Sequence, residues 1–341
     1  ALAMQARMYE FRAVSTPSGE TVRLAMKASV TAGPASRFLV GDPAHRVLEV
    51  AAGETIARLA QAEQLARAGE VIVDRQTLAA LGAQATPGEA RDAQSGDQFV
   101  VVSGQSHAPA PNPWPALAPD GFDEEILKRW LLPSVYDRLQ QGMGHFLTEL
   151  RPTVALFVRF TGIDFDRDDD AGEKLDRFIR FVQRVTEWHG GTFIDLNVGD
   201  KGSYLYINFG APLAHENDAD RAAYAGLDLL NGAADFTYLE PLQIGISQGR
   251  MRAGAYGSTT HRTYGVLGDE VNMAARLMMA AAAGQILVSD SAARFMNDQF
   301  LLDPLPPRRM KGREAPVQFF ALHSHAAPED ARLVLSEHAL P

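Results

Sequence analysis

The sequence predicts an α+β fold built from two related domains, the first incomplete, packed as a pseudo-twofold pair. The first observation behind this is an internal repeat. Gly33 and His45 stand at the same interval as Gly249 and His261, both pairs related by an offset of 216. The segment LAMKASVTAG (24–33) parallels LQIGISQG (242–249), and AGEVIV (68–73) parallels AGQILV (283–288) at an offset of 215, so one residue is gained between His45 and Gly69. A shared order of glycines and apolar strands at one offset means two copies of one domain. The second observation is that residues 1–104 match only the back half of the later copy. The third is that the later copy alternates apolar strands and helices as β-α-β-β-α-β with extra hairpins, a ferredoxin-like order.

Element by element, Ala1 to Phe11 reads as the tail of a helix and Thr21 to Thr31 as a strand. Short apolar strands follow at 46–50 and 71–73, with an Ala/Leu/Gln-rich helix from 54 to 68 between them. Phe99 to Val102 closes the first domain, 1–104. The stretch Gln105 to Pro119 is rich in Pro and Ala and reads as an extended linker. A helix over 124–141 completes the connector (105–150), with Ile126, Trp130, Leu131 and Tyr136 as docking residues and Pro133 kinking or dividing it. The second domain, 151–325, opens at Arg151-Pro152. Its strand Val154 to Phe160 is nearly all apolar, as a strand covered on both faces is. A helix follows with Leu175, Phe178, Ile179, Val182 and Val185 at helical spacing, ended by Gly190-Gly191. Strands at 193–198 and 203–209, a helix over 218–231, strands at 242–248 and 262–267, a short helix and a strand at 285–288 complete the core. Residues 326–341 read as a tail.

Composition limits the function. The 341 residues suffice for two cores, and 46% hydrophobic with 22% charged residues is globular composition. With no cysteine, disulfides, thiolate metal sites and a cysteine nucleophile are excluded; this suits a reducing cytoplasm, the expected location. A net charge of −10 argues against general nucleic-acid binding. No apolar run approaches ~20 residues, so no membrane span is expected. The nine histidines have no zinc spacing. Position 1 is alanine and the pattern opens part-way through a domain, so the chain reads as part of a longer polypeptide.

The chemistry concentrates in Gly268-Asp269-Glu270-Val271-Asn272-Met273-Ala274-Ala275-Arg276-Leu277. Asn272 and Arg276 stand four apart in a helical run and so project from one face. A guanidinium can neutralise phosphate oxygens while an amide holds a sugar oxygen in line. A solvated arginine beside a packing asparagine is the plainer alternative for such a pair in isolation. The context decides between them. The segment HRTYGVLGDEVNMAARL (261–277) resembles, without a gap, the signature G-[DNQ]-x-V-N-x-A-[AS]-R of class III nucleotidyl cyclases. The resemblance extends to Thr153–Phe160, GDKGSY (199–204), FGAP (209–212), IGISQG (244–249) and Met310-Lys311-Gly312.

That resemblance implies cyclisation of ATP to 3′,5′-cyclic AMP and pyrophosphate for cyclic-nucleotide signalling, at a site between two domains. One domain of such a pair supplies two metal-binding aspartates for Mg²⁺ or Mn²⁺, and the other the Asn and Arg. Asn272 would orient the ribose and Arg276 would stabilise the pentavalent phosphorus; Lys311 is a candidate phosphate contact. Base-selecting candidates are Lys201 or, on a gapless count, Asp195, together with Gly265, seven residues before Asn272, and its neighbour Val266. Gly265 offers no side chain to the adenine amine, and an acid at 195 would suit guanine more than adenine.

The second domain departs from the pattern where metal should bind. Arg159 stands where the first aspartate would, and Asp200 near the second is a weak candidate without its partner. No metal site is therefore expected in this chain, and the metal aspartates would lie upstream of residue 1. Asp164, Asp166, Asp168 and Asp170 lack the glycine and glutamate of a calcium loop and read as a solvated loop. In the first domain, counting from Gly53 as from Gly268, the Asn and Arg positions hold Ala57 and Gln61, and Arg58 reads as a surface arginine. This division most resembles tandem soluble adenylyl cyclases. The alternatives are an inactive cyclase-like module sensing nucleotides or anions, and a guanylyl cyclase taking GTP.

Overall fold

The computed structural model describes residues 1–107, 110, 112–113, 115, 121–142, 148–199, 202–258, 261–310 and 315–325. Its first part runs α1 (Leu2–Arg7), β1 (Val14–Ser15), β2 (Thr21–Val22), β3 (Ala28–Val30), β4 (Ser36–Val40), β5 (Leu48–Ala52), α2 (Glu54–Leu65), β6 (Val71–Asp74), α3 (Arg75–Leu81), β7 (Ala85–Asp92) and β8 (Gln98–Gln105). The single strand expected over 21–31 is broken. Residues 21–22 pair with β1 and residues 28–30 run parallel to β6, because the Met26 carbonyl between them accepts from Gly69 N–H and the Gln5 amide. With its backbone acceptor taken, the intervening stretch has no ladder to join.

The connector holds α4 (Glu124–Lys128) and α5 (Pro133–Gln140), so Pro133 divides the expected helix. It takes the first position of α5, where its missing N–H costs nothing. The break changes the helical phase and with it the docking residues. Leu132 and Val135 are buried, whereas Ile126 and Trp130 are exposed. Most of the Pro/Ala-rich stretch and the 326–341 tail fall outside the described residues.

The later part runs β9 (Glu149–Phe160), α6 (Ala171–Trp188), β10 (Thr192–Asn197), β11 (Ser203–Phe209), α7 (Asp218–Gly232), β12 (Gln243–Gly257), β13 (Arg262–Leu267), α8 (Asp269–Ala280), β14 (Gln285–Ser289), α9 (Asp290–Ala293), β15 (Phe300–Arg308) and β16 (Val317–His325). The sheet order is β10-β11-β9-β12-β14-β16-β15, with β13 paired to β12. The β15–β16 hairpin went unread in the sequence because Pro304, Pro306 and Pro307 interrupt it. At the outer edge of a sheet a proline leaves few ladder bonds unmade.

In the earlier sheet, β3-β6-β8-β7 repeats the order β12-β14-β16-β15. Ala28 pairs with Val71 as Ile244 pairs with Ile286, at the offsets 216 and 215 found in the sequence. Helices α2 and α8 both span 12 residues and both follow a glycine. α6 and α7 cover one face of the large sheet, and Val40, Leu48, Val50 and Ala52 of the β4–β5 hairpin join the same core as Leu156, Phe178, Val182 and Leu196. Gln183 of α6 is buried there. Its amide carbonyl accepts from Asp42 N–H (2.7 Å) and its amide nitrogen donates to Arg46 O (2.7 Å). Asp176 accepts from Gly41 N–H at 2.7 Å. Both ends of an otherwise unsatisfied loop are thereby bonded.

α8 lies on the opposite face of the sheet, close enough that β12 must be bare beneath it. A Cβ at Gly245 would come within 2.2 Å of Ala274 O and 2.3 Å of Met278 N. Gly245→Ala should therefore destabilise by about 1–3 kcal/mol through forced overpacking. In α7, a Cβ at Gly226 would meet only ordinary contacts at 3.5 Å, so Gly226→Ala should stabilise by about 0.5–1 kcal/mol through helix propensity. Thermal unfolding of both variants checks the pair of signs; a neutral Gly245→Ala would contradict the close approach.

Candidate active site

The site is built on α8. Its buried side is Met273, Ala274, Leu277 and Met278, the spacing that keeps one helical stripe on the sheet. Asn272 is thereby exposed and Arg276 half-buried, on the open side of the same helix. Among the described residues neither side chain has a hydrogen-bond or ion-pair partner. The other half-buried arginines differ. Arg151 donates to Pro212 O at 3.2 Å, Arg159 donates to Gln243 Oε1 at 2.5 Å, and Arg180 pairs with Asp176 at 2.7 Å. A desolvated guanidinium without a counter-charge is strongly disposed towards an anion.

Arg159, which the sequence reading aligns with the first metal aspartate of the cyclase pattern, lies at the C-terminal end of β9, between Tyr204 and Gln243 on the neighbouring strands. A guanidinium bonded to a carboxamide does not fit a divalent cation, and among the described residues no group of three or more His, Asp or Glu side chains could hold one. Asp200, Lys201 and Lys311 lie outside the described residues.

Asp195 follows an irregularity in β10. Its charged neighbour is Arg46 of the earlier part, rather than Arg276. Asp195 is exposed, yet desolvation by the surrounding chain pushes its carboxyl above the ordinary range; the Leu196 N–H at 3.0 Å and Arg46 pull back without reversing the direction. Arg46 donates to Ile194 O (3.1 Å) and Trp130 O (3.4 Å), so it ties the connector and β10 together. Gly265 pairs across the hairpin with Gly254, leaving no side chain on either strand there. The Val266 side chain is buried in the core, its carbonyl accepts from Tyr206 Oη at 3.2 Å, and the residue pairs with Ala253 in the β12–β13 ladder.

Two readings are corrected. Arg58 is not at the surface: it is 7% exposed and ion-paired with Asp74 at 3.0 Å. It lies one residue past Ala57 on α2, and this turns it under the helix. The acidic loop 164–170 is not simply solvated, because Asp166 accepts from Glu54 N–H at 3.0 Å and so caps α2 across the boundary between the two parts. Neither was legible locally, since each depends on a partner remote in sequence. A cleft of about 420 Å³ lies at that junction, lined by Gly53, Ala57, Gly162, Asp164, Asp166 and Gly199 among others.

Residues 176–324 match the family model described as the adenylate and guanylate cyclase catalytic domain. Human adenylate cyclase type 10 is 26% identical over 202 residues, which are 58% of this chain and 12% of that protein. The adenylate cyclase of Mycobacterium tuberculosis (strain ATCC 25618 / H37Rv) is 27% identical over 199 residues, 56% of this chain and 44% of that one. A solved bacterial light-regulated adenylyl cyclase is similar in fold, with a TM-score of 0.50 at 16% identity over 62% of this chain and 64% of its own. Residues 176–324 are therefore similar to the class III adenylate/guanylate cyclase catalytic domain. The chain spans less than half the length of these two curated relatives. No helix among the described residues is long and apolar enough to cross a membrane.

The upward shift at Asp195 sets a pH dependence. Because its charged form is less favoured in the folded chain than in the unfolded one, its contribution to stability falls as pH rises through its raised pKa. Asp195→Asn should raise Tm at about pH 8 and leave it unchanged at about pH 3, where both states are protonated. Equal Tm changes at the two pH values would contradict this.

Proposed function

We propose that this chain carries the transition-state half of an adenylyl cyclase site. Asn272 holds the ribose so that its 3′-oxygen lies in line with the α-phosphorus, and Arg276 neutralises charge that grows on the α-phosphate oxygens as pyrophosphate leaves. The observation that carries this is the half-buried Arg276, without a partner among the described residues, one helical turn from exposed Asn272. Such a pair stabilises charge at the moment it develops, with little reorganisation.

The acidic metal ligands would come from a separate unit resembling residues 151–241, seated on the β12–β13 hairpin. The repeat supports that placement. Ala52 of the β4–β5 hairpin is buried against α6 and its sheet, whereas its counterpart Leu267 is 53% exposed. One hairpin is covered and the other is open. Head-to-tail pairing of the two parts would cover both in a complete molecule.

ATP is the substrate favoured by the overall likeness; Gly265 adds no side-chain support for adenine, and an acid at Asp195 would suit guanine more. The inactive regulatory reading draws on Arg159 in the metal position and on the junction cleft, where the cation nearest in sequence, Arg58, is already paired with Asp74.

The complete natural chain, assayed with Mn²⁺ and ATP or GTP separately, tests the reading. Arg276→Ala should lower kcat by on the order of 100- to 1,000-fold with a much smaller change in KM. Arg276→Lys should recover little, because a point charge lacks the guanidinium fork. If neither constant changes, the regulatory reading holds. Residues 1–341 alone should form no cyclic nucleotide, even as a homodimer, because each copy brings Arg159 to the metal position; cyclic AMP from the purified 341 residues would refute that assignment.

A further inference from the structure

We infer that Glu270 is a positioning residue: it sets how α8 presents Asn272 and Arg276, through a hydroxyl cluster at the ends of β12 and β14. Ser247 Oγ donates to Glu270 Oε2 at 2.6 Å and lies 2.8 Å from Ser289 Oγ. Ser289 Oγ is 2.9 Å from Ser291 Oγ, and Ser291 donates to the same Glu270 oxygen at 3.4 Å. Ser289 also accepts from Ala292 N–H, capping α9. Ser247 and Ser289 are fully buried. The first turn of α8 is thus bonded by a side chain to two strands and to α9, while the middle of the helix is held by its close approach to Gly245.

β12 is shaped for this contact. Gly245, Ser247 and Gly249 alternate along it and so share the face under α8. A Cβ at Gly249 would come within 2.6 Å of Glu270 Cγ, so glycine there makes room for the carboxylate's stem. The earlier part fills the same positions differently, with Thr31, Thr55, Asp74 and Gln76 at the positions of Ser247, Glu270, Ser289 and Ser291. There Arg58 enters the cluster, bonding Asp74 at 3.0 Å, Gln76 at 3.1 Å and Thr55 at 3.3 Å. The helix without the Asn/Arg pair is fixed by an internal ion pair. The helix with it is bonded through Glu270 to Ser247 and Ser291, and the counterpart of Arg58 there is Met273, so Arg276, three residues further on, stands on the open side of α8.

This rests on the cyclase reading above, and the test separates the two by measuring both activity and amide hydrogen exchange in the complete natural chain. Loss of hydrogen bonds to the carboxylate should speed exchange of the 269–276 amides by about 10- to 100-fold in Glu270→Ala. The same variant should lower kcat by at least about tenfold while KM stays within about threefold, as expected when transition-state alignment rather than binding is lost. Glu270→Gln keeps an acceptor oxygen and should restore most of both. Ser247→Ala, a near-isosteric change that preserves the fold, should give the same direction at smaller size and serves if Glu270→Ala does not fold. Unchanged exchange and kcat in both Glu270→Ala and Ser247→Ala would overturn the inference, as would Glu270→Gln losing as much as Glu270→Ala. If the parent chain makes no cyclic nucleotide, the cyclase reading fails and exchange alone decides whether Glu270 anchors the helix.

Discussion

The site depends on how closely one helix lies on one strand. α8 rests on β12 where the strand carries only Gly245, Ser247 and Gly249, so backbone meets backbone and the helix has almost no freedom to roll. Close packing of this kind is bistable rather than elastic: a single added methyl group cannot be absorbed by a small adjustment. The buried stripe of Met273, Ala274, Leu277 and Met278 fixes the azimuth, and the open side is therefore fixed as well. Asn272 and Arg276 acquire their orientation as a consequence of what their neighbours bury.

A second constraint joins the two parts. The β4–β5 hairpin contributes Val40, Leu48, Val50 and Ala52 to a core whose other members come from α6 and the large sheet. Gln183 bonds both sides of the loop between those strands, and Asp166 caps α2 from the other direction. Apolar burial supplies most of the attraction at such a junction, while the buried amide and carboxylate bonds fix its register, because each would leave an unsatisfied group if the parts slipped. The connector takes part through Arg46, which bonds the carbonyls of Trp130 and Ile194.

The earlier and later parts of the chain share strand order but differ in electrostatics. Strand pairing, helix length and the glycine before each helix are common to both. At the node beneath the helix, the earlier part holds the Arg58–Asp74 pair and the later part the Glu270 carboxylate bonded by Ser247. On β9, Arg159 is turned to Gln243. Charge placement, more than topology, distinguishes the two parts.

Much of this was legible in the chain itself. The offsets of 216 and 215 located the paired strands, and helical periodicity located α6 and α8, because both signals depend on neighbours a few residues apart. That Asn272 and Arg276 share one face of one helix was likewise readable, since four-residue spacing is a local signal. The connector's docking residues were misjudged because Pro133 reset the helical phase. Arg58 and Asp166 were misjudged because their partners, Asp74 and the Glu54 amide, are brought close only by folding. Local pattern determined the elements and the candidate chemistry. Only tertiary packing decided which charges were consumed internally, since burial and ion pairing depend on contacts that sequence separation hides.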